Sequence, residues 1–164
     1  PDRYRDRIEA ISAASSIVKT SDEDLAWVYE GSGRVDAANR LLDLGAGLVV
    51  VTRGSAGSEA FRRNRSGATE RVDVGALMPV EEGDDALAGP GEKVVDTVGA
   101  GDTFHAALIS WLQRRGALSR KGIAEASHQE LRDAQRFASV CATITCHRIG
   151  ADPPLLSEVP DRYR

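Results

Sequence analysis

The chain has 164 residues, enough for one domain with a core of its own. Its 21 basic against 25 acidic residues leave a net charge of −4, which argues against a nucleic-acid partner. With 41% hydrophobic and 28% charged residues it is too apolar for a disordered chain. No apolar run approaches the ~18 residues of a membrane span, and the charged residues 1–7 are not followed by an apolar signal core. Cys141 and Cys146 lie five apart in one helical stretch, hence about 140° apart around it, so a disulfide is not expected. The expectation is a protein of the reducing cytoplasm with no membrane segment.

Helical and extended patterns alternate. Residues 6–16 are Ala-rich and helical in character, and residues 16–19 form a short strand candidate. Thr20 and Glu23 have the spacing of a capping box, which would open a helix carrying Leu25, Val28 and Tyr29 and closing at Gly31. Val35, Ala38, Leu41 and Leu42 make the next apolar stripe, with Gly45 as its C-cap. Residues 48–52 read Leu-Val-Val-Val-Thr, a run suited to a strand buried on both faces of a parallel sheet. Residues 58–62 and 68–72 suggest a hairpin around Asn64-Arg65-Ser66-Gly67. Residues 79–92, with five acids, read as an exposed loop.

Val94 and Val95 give a short extended segment that leads to the turn at residues 99–101. Phe104, Leu108, Trp111 and Leu112 then repeat at helical spacing up to Gly116. Ser127 and Glu130 form a second capping box, ahead of a stripe of Leu131, Ala134, Ala138 and Cys141. Trp27 and Trp111 are candidate core residues, and His128 and His147 surface or cap residues. Residues 155–164 read as a tail. The alternation predicts an α/β fold, mainly parallel in its sheet, in one domain over residues 1–164. The pentapeptide Pro-Asp-Arg-Tyr-Arg occurs at residues 1–5 and again at 160–164, too short for a structural repeat.

The segment richest in chemistry is Asp96-Thr97-Val98-Gly99-Ala100-Gly101-Asp102-Thr103-Phe104. A strand ends, two glycines remove their Cβ atoms, and a helix starts. Unpaired amides at the positive end of the helix suit an anion, or charge developing on a transferring phosphoryl group. A carboxylate at Asp102 could take the proton of an attacking hydroxyl. On physics alone the same residues serve equally as a helix cap and a tight turn. His105, three residues on, shares the face of Asp102 and is either packed or part of the site. Arg53 is either a phosphate contact or a solvated turn residue. No G-x-x-x-x-G-K-[ST] occurs and no G-x-G-x-x-G follows a strand, which excludes a P-loop and leaves a Rossmann site without support.

Residues 96–104 resemble the second signature of the PfkB, or ribokinase-like, carbohydrate kinases. Residues 18–27 and 49–57 are similar to stretches of bacterial fructokinases within that family. The resemblance implies a three-layer α/β/α fold and an ATP-dependent transfer of phosphate to a sugar hydroxyl, with fructose first and 2-keto-3-deoxygluconate or another ketose as alternatives. It implies Asp102 as catalytic base, with the amides of Gly99, Ala100, Gly101 and Asp102 as the anion hole. Thr52, Gly54 and Gly57 match the family's T-x-G-x-x-G turn beside the nucleotide. Asp96, Thr97 and Val98 fall beside the nucleotide site, Asp96 and Val98 where relatives bind a monovalent cation such as K⁺. Residues 21–24 align with the family's N-x-x-E motif for magnesium, but Ser21 stands for Asn and Asp24 for Glu. This gives Glu23 and Asp24 as metal candidates against a simple cap. Arg136, Ala138 and Ser139 fall where relatives border adenine.

The family's G-G-x-x-x-N signature is absent, and relatives are roughly twice as long. The chain therefore reads as the C-terminal, nucleotide-side half of such a kinase, lacking most of the sugar pocket and the lid. The expected partners are ATP, Mg²⁺ and a small sugar, with a second copy or a complementary N-terminal half as protein partners. A non-catalytic nucleotide-binding half or remnant is the alternative function.

Overall fold

A computed structural model describes residues 2–64, 66–75 and 94–164. The acidic segment 79–92 expected as a loop lies outside the described residues.

The order of elements is α1 (Asp2–Ala14), β1 (Ile17–Ser21), α2 (Asp22–Val28), α3 (Arg34–Leu44), β2 (Leu48–Thr52), β3 (Ser58–Arg63), β4 (Thr69–Val74), α4 (Ala100–Arg114), α5 (Arg120–Glu125) and α6 (His128–Cys146). The four described strands form one sheet in the order β1-β2-β3-β4. β1 and β2 run parallel, with Ile17 opposite Leu48 and Ser21 opposite Thr52. The expected hairpin is present, but it makes β2–β3 and β3–β4 antiparallel, so the described sheet is mixed.

The aliphatic run of β2 explains the layers. Its side chains alternate between two separate cores. Leu48 and Val50 join Ala60, Val72, Phe104, Leu108, Trp111, Leu131 and Ala138 on the α4–α6 side. Val49 and Val51 join Phe61, Leu25, Ala38 and Leu41 on the α2–α3 side. All four β2 aliphatics are fully buried, as a strand between two helical layers requires. The three-layer α/β/α architecture follows from that alternation.

Several local readings change. The first helix starts at Asp2 and stops at Ala14. The cap of α2 is Ser21, not Thr20: Ser21 Oγ accepts the Asp24 amide at 3.0 Å, while Thr20 Oγ1 donates to the Ser21 carbonyl. Trp27 is not core but 63% exposed. Leu25 and Tyr29, four apart, take the inward face of α2, and Trp27 stacks edge-on against Tyr4 at 5.4 Å. No strand forms at Val94 and Val95. The Val95 and Asp96 amides both donate to the Cys146 carbonyl at the end of α6, satisfying a helix terminus rather than a sheet neighbour. Residues 155–164 fold into two single turns that bring Val159 into the core, with Tyr163 packed against it. The second Pro-Asp-Arg-Tyr-Arg thus makes a short turn where the first opens a helix. The α6 capping box forms as expected from Ser127 and Glu130.

Candidate active site

The candidate site is built on the first turn of α4. Gly99 is its N-cap, in the left-handed region at φ +78°, and a Cβ there would stand 2.5 Å from the Ala151 Cβ. Both the backbone angle and the close approach demand glycine. The Gly99 carbonyl accepts the Thr103 amide at 2.8 Å, which starts the helix. The Ala100 amide turns back to the Thr97 carbonyl at 3.2 Å. Among the described residues the Gly99, Gly101 and Asp102 amides have no acceptor, so three of the four expected donors are open and the Ala100 amide closes the turn. Asp102 is exposed on this turn and makes no hydrogen bond or ion pair with any described residue.

Asp96 holds the approach to that turn. Its Oδ1 accepts the Val98 amide at 3.0 Å and its Oδ2 the Gly150 amide at 3.0 Å. These bonds, Val98 first, keep its carboxyl below the usual range. The Asp96 side chain thus fastens the 96–99 turn to the loop after α6. Buried Thr145 donates to Thr103 at 3.2 Å and locks α4 against α6. Thr97 and Val98 are exposed beside the same turn.

The carboxyl ends of β1 and β2 stand at the same end of the sheet. Lys19 links them to α4: a Cβ added at Gly101 would lie 3.0 Å from the Lys19 Nζ. Thr52 ends β2 and donates to the Thr20 carbonyl at 3.3 Å. Gly54 opens a single tight turn over Gly54–Ala56, and Gly57 closes it at φ +93°. A Cβ at Gly57 would stand 2.1 Å from the Val74 carbonyl oxygen, so only glycine lets the turn seat on β4. Glu23 and Asp24 are exposed on the first turn of α2, at the end of β1. No group of three His, Cys, Asp or Glu side chains suited to a metal occurs among the described residues. The available donors are two carboxylates, hard oxygen ligands of the kind Mg²⁺ shares with substrate phosphates.

His105 is half-buried one turn into α4. Burial first, and then the Lys19 charge, push its imidazole below the usual range, while Asp102 pulls the other way. Arg136 is exposed, Ser139 half-buried, and Ala138 fully buried in the core, which removes Ala138 from any ligand surface.

Arg53 is neither a free phosphate contact nor a solvated turn residue. It bonds Glu59 at 3.2 Å and Asp73 at 2.8 Å. Glu59 is wholly buried on β3, gripped by Arg34 through two bonds of 2.8 and 3.0 Å and by Arg71 at 2.7 Å. Burial alone would raise the Glu59 carboxyl; the bonds and charge of Arg34, then the charges of Arg71 and Arg53, outweigh it and hold it low. Sequence reasoning missed this cluster. Its only local signal is an acid in the strand Ser58-Glu59-Ala60-Phe61, with its cations far away at positions 34, 53 and 71.

Comparison with known proteins fits this geometry. The profile of the pfkB family of carbohydrate kinases matches residues 1–158. That match covers nearly the whole chain, and this chain belongs to the pfkB carbohydrate kinase family. It is 38% identical over 130 residues to a fructokinase of Rhizobium leguminosarum bv. trifolii, covering 77% of this chain and 33% of that protein. It is 28% identical to a probable chloroplastic fructokinase-6 of Arabidopsis thaliana, covering 94% of this chain and 34% of that one. Among solved structures it superposes on the Salmonella enterica aminoimidazole riboside kinase, in complex with aminoimidazole riboside and an ATP analog, with a TM-score of 0.62 at 25% identity, over 92% of this chain and 41% of that one. A Vibrio cholerae fructokinase bound to fructose, ADP and calcium shares the fold, with a TM-score of 0.61 at 22% identity, over 92% of this chain and 41% of that chain. The chain spans about a third of the length of those curated relatives. No described helix is long and apolar enough to cross a membrane.

Proposed function

We propose that this chain is the nucleotide-side, catalytic part of an ATP-dependent sugar kinase, with fructose as the first candidate substrate and 2-keto-3-deoxygluconate or another ketose as alternatives. The observation that carries the reading is the α4 entrance, where three open amides and an exposed carboxylate share one helical turn. The amides of Gly99, Gly101 and Asp102, at the positive end of a 15-residue helix, neutralise charge on the phosphoryl group in flight. Asp102 accepts the proton of the sugar hydroxyl as its oxygen bonds to the γ-phosphorus and the bond to the ADP leaving oxygen breaks. Ala100 shapes the turn. Thr52, Gly54 and Gly57 border the nucleotide at the end of β2, and Thr97 lies beside it. The carbonyls at Asp96 and Val98 are the candidate ligands of a monovalent cation such as K⁺. Glu23 and Asp24 would hold Mg²⁺ together with the nucleotide phosphates, and the ion would screen their charge. Half-buried Cys146 and buried Cys141, whose thiol burial pushes up to about 11, suit a reducing cytoplasm.

A second reading, a nucleotide-binding half that acts only with a complementary chain, is favoured by β1. Among the described strands β1 pairs only with β2, and its other edge is open. Calorimetric titration with ATP and Mg²⁺ tests the nucleotide site. Fructose phosphorylation with and without a supplied N-terminal half then separates the readings. Binding with turnover only on complementation is expected; failure to bind ATP in either setting would overturn both.

A further inference from the structure

The chain is rich in arginine: 18 of its 21 basic residues are Arg, and only three are Lys. One of those three, Lys19, stands on β1 where the strand faces α4. Strand alternation places Ile17 and Lys19 on that face, and Ile17 packs against the α4–α6 core. Lys19 is opposite Val50, whose side chain lies in the same core. Its aliphatic stem therefore runs along an apolar wall while its ammonium emerges at the carboxyl end of the strand. There the Nζ meets the first turn of α4 at Gly101.

That position is electrostatically costly as it stands. The N-terminus of a helix carries partial positive charge, and an ammonium beside it is repelled. A structural lysine at such a place would be expected to pair with the nearest carboxylate. Asp102 is on the same turn, yet no ion pair or hydrogen bond joins Lys19 to it or to any other described residue. The nearby His105 is half-buried; burial first, and then the Lys19 charge, push its imidazole below the usual range, and when protonated it would add only further positive charge there. An ammonium and three open amides therefore meet at the first turn of α4, and the Asp102 carboxylate on that turn bonds to none of them.

We infer that Lys19 is a substrate-binding residue of the phosphoryl site, its ammonium bonding a non-bridging oxygen of the transferred phosphate opposite the Gly99, Gly101 and Asp102 amides. This rests on the kinase reading of that turn and adds a residue to it. Lys19 exchanges no proton in the step. It supplies a compact point charge that can follow the phosphorus from the nucleotide toward the acceptor oxygen, which a rigid guanidinium fork does less readily. It also resolves the repulsion at the α4 terminus whenever phosphate is bound.

The test compares ATP and AMP binding in the wild-type chain, Lys19→Met and Lys19→Arg, with Mg²⁺ present and thermal midpoints recorded. A charge-assisted bond to phosphate is worth roughly 1.5–3 kcal/mol, so Lys19→Met should bind ATP about 10–100-fold more weakly. AMP affinity and the thermal midpoint should hold, and Lys19→Arg should recover part of the ATP affinity. Amine acetylation read by mass spectrometry gives a second readout: ATP should shield Lys19 and AMP should not, with exposed Lys121 as the internal reference. Undiminished ATP binding by Lys19→Met, with wild type binding normally, overturns the role of Lys19 and leaves the kinase reading intact. Equal loss of ATP and AMP with a lowered midpoint overturns it in favour of a structural lysine. Failure of the wild-type chain to bind ATP overturns the nucleotide site itself, and Lys19 with it.

Discussion

Two charged regions of this molecule have opposite designs. On the α2–α3 side, Glu59 is buried and answered by Arg34, Arg53 and Arg71, with Asp73 completing the set. At the start of α4, Asp102 shares a turn with three open amides and Lys19 reaches that turn from β1, and neither charge has a hydrogen bond or ion pair with a described residue. A satisfied buried network fixes the backbone; removing one member strands the others. Unpaired charge at a helix start leaves room for a ligand, which is the role proposed for it. On the proposed reading, the chain separates charge that holds the hairpin from charge that meets the phosphoryl group, although both regions sit near the carboxyl ends of β1 and β2.

That contrast can be broken most severely at Glu59. Glu59→Ala leaves three arginines facing a cavity and should cost about 3–5 kcal/mol, read as a large fall in the denaturation midpoint. Loss of under ~1 kcal/mol would mean the network is no more than a surface ion pair. Gly99→Ala comes next. The added methyl meets Ala151 and the backbone must hold a positive φ, so a loss of roughly 1–3 kcal/mol is expected, together with weakened ATP binding. A variant as stable and as tight for ATP as wild type would show that the α4 entrance does not need glycine.

Acid offers a graded version of the same comparison. The folded Glu59 carboxyl lies below its ordinary 4.5, so its contribution is present above that pH and is lost as pH falls through the lower folded value. Stability should therefore drop on acidification below about pH 4.5, and Glu59→Gln should flatten that drop in urea denaturation read at several pH values. An unaltered acid slope in the variant would assign the effect elsewhere. The smallest effect is expected at Trp27, which is 63% exposed: Trp27→Ala should shift stability by no more than ~0.5 kcal/mol. A core-sized loss would contradict its place on the surface.

What could be read from the sequence followed from local periodicity. The run Leu48-Val49-Val50-Val51, the hairpin around Asn64 and Gly67, the apolar face of α4 and the α6 capping box all depend on neighbours within a few residues. The α4 entrance was visible as two glycines before an acid, and its geometry adds that the Ala100 amide is turned inward while the other three are open. What escaped depends on distant partners. Glu59 gathers Arg34, 25 residues away, and Arg71, 12 away, without any spacing rule to announce them. Trp27 was misplaced because a seven-residue helix with Leu25 and Tyr29 inward has no room for a third large residue on that face. Val94 and Val95 failed to make a strand because the end of α6 supplied an acceptor first. Lys19 could have been noticed as the one charge in the short strand Ile-Val-Lys-Thr-Ser.

Asp102 is the proposed base, and one variant tests that role. Asp102→Asn, assayed for fructose phosphorylation with the complementary half supplied, should lose about 10²–10⁴-fold in turnover while ATP affinity and the thermal midpoint stay near wild type. Unchanged turnover in a folded, ATP-binding variant would contradict Asp102 as the base and, with it, the reading of the α4 entrance as a site of phosphoryl transfer.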